Sequence, residues 1–311
     1  MASFEGFSAP DFDAFEEKKW GSHAFNRERL EVKLKLTALG NELKGEFREG
    51  LPELQMGLTE ERPSIFNQHQ VRDLTLFFFR NEKERRALGG ILDKAKSIAD
   101  IVQDTAAHHR HINIGVRVGH QGLEAGLWLH QDAWVDWKNV VQRCSEHWEH
   151  DKLGEVVEDL PGSIRFGRGS GLAADAPPAK EVEPDEILGG FEDAGPWTVF
   201  GESFDRGDPL LQSGDLTGKL AGLIAALVPL YEFIGWRRDN DFHQLKKVIK
   251  EQKEKAVRKF KSLQKGDSVR VLKGLAAGHV GVVDSIERKG VVKVRLGTML
   301  VSLRIEELGK P

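Results

Sequence analysis

The sequence predicts an α+β N-terminal domain with a helical extension, followed by a small all-β barrel at the C-terminus. Three observations lead there. Apolar residues recur at helical spacing over 22–49, strict alternation marks two adjoining strands over 111–130, and short valine-rich alternating runs crowd into residues 265–309. The chain has 311 residues, 40% of them hydrophobic, which is length enough for about two domains with a real core.

Phe25, Val32, Leu36, Leu39, Leu43 and Phe47 lie three, four or seven residues apart, predicting an amphipathic helix from Ser22 to Glu49. Asp73–Arg80 (DLTLFFFR) is short, aromatic-rich and β-like. Asn81 is placed to cap a helix through Ser97, with Glu82 and Glu84 near its positive end. Ile112, Ile114, Val116 and Val118 alternate with His111, Asn113, Gly115 and Arg117. Leu123, Ala125, Leu127 and Leu129 alternate with Glu124, Gly126, Trp128 and His130, and Gly119-His120-Gln121-Gly122 joins the two runs into a hairpin. Ala133 to Leu153 reads as one helix, completing a domain over 1–153.

Gly and Pro supply 17 of the 65 residues from Asp151 to Asp215, so 154–215 is expected to be an acidic linker or long loop in which Pro196–Phe200 docks locally. Its glycine-spaced run Phe166–Gly171 lacks a preceding strand and dinucleotide spacing, and reads as flexible chain. Residues 216–263 form the helical extension. Leu216–Trp236 is a buried helix kinked near Pro229, too short and too interrupted by Lys219 and Glu232 to cross a bilayer, and Phe242–Leu263 is a Lys-rich spacer. Residues 264–311 form the barrel.

The net charge of -4 conceals a polar distribution. Asp151–Asp215 holds 15 acidic and 5 basic residues, whereas Arg237–Pro311 holds 19 basic and 9 acidic. A basic end beside an acidic middle is the pattern of a polyanion-binding module, or of a basic surface neutralised by its own acidic segment. The mean hydropathy is -0.41, and the acidic start lacks the apolar core of a signal peptide. With the single cysteine, Cys144, these features predict a cytoplasmic protein without an intramolecular disulfide and without a membrane partner.

In the last segment, Lys265-Gly266-Asp267, Val269, Val271, Gly274, Gly278, Gly281, Val283, Val292 and Val294 carry a likeness. The segment resembles the KOW motif, an SH3-like barrel found in NusG-type transcription factors and in ribosomal proteins. That resemblance implies binding to nucleic acid, RNA foremost, or to ribosome or RNA polymerase components. The expected contacts are Arg270, Lys273, Arg288, Lys289, Lys293 and Arg295, whose charges suit phosphates. No aromatic residue follows Phe260, so base stacking is not the expected mode. Residues 7–130 resemble the uncharacterised YktB-like family through the opening FSAPDFDAF, the helix ending near Phe47 and the hairpin HINIGVRVGHQGLEAGLWLH. That likeness implies an α+β fold and brings no activity with it.

A competing enzyme reading places Arg117, Glu124 and His130 as catalytic candidates on the hairpin's polar face, with Trp128 beside them and Asp132 at the edge. The plainer alternative is a cross-strand Arg117–Glu124 pair worth less than about 1 kcal/mol. A third reading is a scaffold binding only proteins. Seven of 11 histidines lie between His108 and His150, yet His108-His109-Arg110-His111 has no zinc-type partner spacing. Cys144, His147 and His150 recur every three residues on one expected helix rather than at the i,i+4 spacing of helical ligands. No metal and no cofactor is therefore expected. No G-x-S-x-G, P-loop, EF-hand or H-E-x-x-H pattern occurs, nothing supports Cys144 as a nucleophile, and the sequence sets no oligomeric state.

Overall fold

The computed structural model describes residues 4–46, 54–92, 107–193, 196–242, 263–272, 276–287, 291–304 and 307–309. It divides into two compact units, one of residues 1–85 with 105–243, the other of 86–104 with 244–311.

The first unit is built on a six-stranded antiparallel sheet: β1 (Leu54–Leu58), β2 (Asp73–Arg80), β3 (Asn113–Gly119), β4 (Gly122–His130), β5 (Arg165–Gly169) and β6 (Trp197–Asp205), in the order β1-β2-β3-β4-β6-β5. The predicted strand at 73–80 and the hairpin lie where periodicity put them. Leu74, Leu76, Ile114, Val116, Leu123, Ala125 and Leu127 share the core face and are buried.

Two helices close that face. The first, α2 (Asn26–Glu46), follows the one-turn α1 (Ala9–Asp13) and buries Val32, Leu36, Leu39 and Leu43, the stripe expected from spacing. Phe47 and Glu49 of the predicted helix lie outside the described residues. The helix after β2, α3 (Glu82–Leu92), is capped as expected: Asn81 Oδ1 accepts the Glu84 backbone N–H at 3.0 Å. Its extension to Ser97 lies outside the described residues, as does most of the expected Phe242–Leu263 spacer.

The second, α8 (Leu216–Ile234), continues through Pro229 and packs on β3, β4, α2 and the helices of 134–158. It is the one described helix long and apolar enough to cross a membrane, and its buried leucines make it the core helix of this unit.

Two expectations are corrected. Ala133–Leu153 is not one helix but α5 (Trp134–Arg143) and α6 (His147–Glu158). The Ser145 hydroxyl donates to the Gln142 carbonyl at 2.7 Å, taking up a carbonyl at the end of α5. The bend lets buried Arg143 donate to Glu149 at 2.5 Å on the next helix and to the Phe233 carbonyl at 2.9 Å.

Residues 154–215 are not a linker or long loop. They contribute β5, the helix α7 (Pro184–Asp193), and β6, which pairs with β4 along its whole length. Phe166–Gly171, read as flexible chain, begins in β5, with Phe166 buried against Phe200 at 5.0 Å between ring centroids. Glycine density reflects close strand packing here, not an absence of structure.

A buried ion pair ties sheet and helices together. Asp136 is fully buried and accepts Arg80 Nη2, the Ile112 N–H at 3.0 Å and the Trp236 N–H at 2.8 Å.

The second unit contains a curled five-stranded antiparallel sheet, a half-barrel compatible with a small β-barrel. Its strands are β7 (Ser268–Val271), β8 (Val280–Ile286), β9 (Val291–Leu296), β10 (Met299–Arg304) and β11 (Leu308–Gly309), in the order β10-β9-β8-β7-β11. Val269, Val283, Val292, Val294 and Leu308 form its core. Gly281 serves the close approach expected of it, since a Cβ there would come within 2.7 Å of the Arg295 carbonyl oxygen.

Candidate functional site

The register of the β3–β4 hairpin places Asn113 opposite Trp128, Gly115 opposite Gly126 and Arg117 opposite Glu124, all on the face away from the core. The facing glycines put no side chain between the other two pairs. Through that gap the Arg117 guanidinium reaches 5.9 Å from the centre of the Trp128 ring. Arg117 donates from Nε to Glu124 Oε2 at 3.1 Å and a second time from Nη2. β2 places Thr75 opposite Arg117, and β6 places Trp197 opposite His130. A short helix, α4 (Ala107–Arg110), adds His108 and His109.

These elements enclose a cavity of about 110 Å³ lined by Asp73, Thr75, His108, His109, Asn113, Arg117, Trp128 and Trp197. That is room for several waters or a small ligand. Burial works against the charge on Arg117, but the carboxylates of Asp73 and Glu124 outweigh it and hold its pKa above the usual value. Burial pushes the His108 imidazole down to about 3 and those of His109 and His130 down to about 4, leaving all three neutral near pH 7. Trp128 Nε1 and His108 Nδ1 are buried without a hydrogen-bond partner among the described residues. Two such atoms in the wall of one polar cavity point to a bound water or ligand that completes them.

The catalytic candidates do not converge as expected. Arg117 lines the cavity, but Glu124 serves as its ion-pair partner. His130 stands six residues further along β4, about 20 Å for an extended strand, and does not line the cavity. Its ring instead stacks on His109 with centroids 4.2 Å apart, and meets Trp197 edge-on at 4.6 Å. Asp132 lies beside it, Oδ2 at 3.3 Å from His130 Nδ1. Sequence reasoning missed His108, His109, Asp73 and Trp197. The run of histidines before β3 was the available signal, and strand spacing alone cannot say which partners a helix brings.

Cys144 and His147 fall on either side of the helix break, so they share no helix face. Cys144 is buried, and burial pushes its thiol up to about 11. His147 and His150 lie beside Asp151 and Asp185, at 3.7 and 3.0 Å.

Of the six expected phosphate contacts, Lys273, Arg288 and Lys289 lie outside the described residues. Arg270 is exposed on β7. Lys293 and Arg295 project from β9, and their side chains are 37% and 59% exposed. They pair with Glu287 at 2.7 Å and Asp284 at 2.6 Å. Exposed Val280 and Val282 stand between them, opposite Arg270 and Arg295 respectively.

No family model matches this chain, and no curated protein does either.

Proposed function

We propose that this chain is a non-catalytic, cytoplasmic protein that associates with structured RNA, as in a ribosome- or RNA polymerase-type particle, through its C-terminal β-module. The observation that carries the reading is the outward register of Arg270, Lys293 and Arg295 on β7 and β9, the two strands that flank β8. The KOW-like glycine and valine pattern of 265–294 supports it. The carboxylate partners of Lys293 and Arg295 form solvent-screened surface pairs that contribute little, so a phosphate can take over the cation. The valines between the cations favour a contoured particle surface over a free single strand.

The test is a salt series of RNA binding to the full chain. Affinity must fall steeply with salt, and Lys293→Glu with Arg295→Glu must weaken binding tenfold or more while flattening the salt slope by about two contacts. Binding that ignores salt and both reversals refutes the reading; capture of protein alone, surviving nuclease, does the same.

The cavity of the first unit favours a second reading, in which that unit binds a small polar ligand and acts on it. The unpartnered Trp128 Nε1–H takes an acceptor, so a ligand with a carbonyl or carboxylate oxygen fits it. A thermal-shift screen of small oxo-compounds should find a stabilising ligand whose effect is lost in Trp128→Phe, which keeps the ring and removes the donor. Ligands that bind Trp128→Phe equally well, or no ligand at all, end this reading.

A further inference from the structure

We propose that His109, His130 and Asp132 hold a divalent transition-metal ion, with zinc the reference case, at the edge of the cavity. This inference does not depend on RNA association, which involves other residues. One ligand atom from each of the three residues lies within 4.8 Å of the other two. Two imidazole nitrogens and one carboxylate oxygen are a donor set for zinc and neighbouring first-row cations, and three protein ligands leave a coordination position open.

The geometry is closest where His130 meets Asp132. His130 Nδ1 and Asp132 Oδ2 are 3.3 Å apart. Two ligands of one tetrahedral ion with bonds of about 2.1 Å stand about 3.4 Å apart, so this pair is already at chelating separation. His130 Nδ1 now accepts the Asp132 backbone N–H at 3.1 Å, and the ion would replace that proton donor. Asp132 is an exposed residue, so water can take up the released N–H. His109 supplies the third ligand, its ring turning out of the stack on His130 so that both in-plane lone pairs meet on the ion.

On the same tetrahedral ion every ligand pair stands about 3.4 Å apart, so from a separation of up to 4.8 Å the His109 nitrogen must close by up to about 1.4 Å. Trp197 meets the His109 and His130 rings edge-on at 5.2 and 4.6 Å. The three ligands come from a helix, a strand end and the turn after it, so only the folded chain brings them together.

The cavity gives the site a use. His109 belongs both to the ligand set and to the cavity wall, where Trp128 Nε1–H is unpartnered. A small ligand could offer one oxygen to the ion and another acceptor to that N–H.

The test uses the tag-free full chain stripped with a chelator and titrated with Zn(II) by calorimetry, and with Co(II) by visible absorption. The expected result is one ion per chain, with the intense visible bands of low-coordinate cobalt. His130→Ala and Asp132→Asn should each weaken binding at least 100-fold, while His147→Ala, on an exposed helix end, should leave it unchanged. His130 is buried, so its variant is checked by circular dichroism, and exposed Asp132→Asn carries the decision if that fold is lost. No binding at tens of micromolar Zn(II) or Co(II), or binding that survives Asp132→Asn, overturns the assignment.

Discussion

Asp136 shows how a single buried carboxylate can organise a domain. It satisfies the Arg80 guanidinium and two backbone N–H groups, at Ile112 and Trp236, that belong to segments distant in sequence. Replacing it by alanine leaves the buried Arg80 cation without its counter-ion, with only the Trp236 carbonyl and His111 Nδ1 beside it, and leaves two N–H donors without an acceptor. We expect Asp136→Ala to cost about 3–5 kcal/mol in denaturant unfolding, with Asp136→Asn intermediate because it keeps one acceptor. A variant as stable as the wild type would mean that water reaches Arg80. The pair was not legible in sequence: Arg80 reads as the polar end of a strand and Asp136 as the exposed first turn of a helix. Only their burial under α8 turns two surface-type residues into one core element.

At the scale of elements, the break between α5 and α6 decides the chemistry of Cys144. It turns the thiol into the core, where burial raises its pKa to about 11. The folded state favours the protonated thiol, whereas the unfolded chain ionises it near its ordinary value. Between those two values the unfolded state holds fewer protons, so this contribution to stability is present below about pH 9 and is lost as pH rises toward 11. Native protein should therefore resist iodoacetamide at pH 8 and be alkylated only on unfolding; rapid native alkylation would place the thiol at the surface. The hairpin offers the contrasting case. Its strands, its turn and the Arg117–Glu124 pair follow from alternation because cross-strand partners are local in sequence. The helix break does not, because no Gly or Pro marks it.

Across the whole molecule, charge and structure part company. The acidic stretch of 151–215 has the composition of a linker, yet it completes the first sheet. Its acidic residues are compatible with strands and helices whose apolar residues, such as Phe166, Ile187, Val199 and Phe200, are buried in that unit. The basic end keeps its alternating valines in a curled five-stranded sheet, a half-barrel where the pattern implied a small closed barrel. Polyanion binding should appear in the full chain as a salt-dependent affinity governed by Lys293 and Arg295.

The sequence by itself determined the helix stripe of α2, the strands of the hairpin, the buried helix after 215 and the valine framework of the C-terminal sheet. Each is a periodicity, and periodicity is written in neighbours a few residues apart. Only the tertiary structure decided that β6 pairs with β4, that Arg80 and Trp236 share one carboxylate, and that His109 stacks on His130. Those outcomes depend on which distant segments bury each other's surface, and residue order does not encode that separation locally.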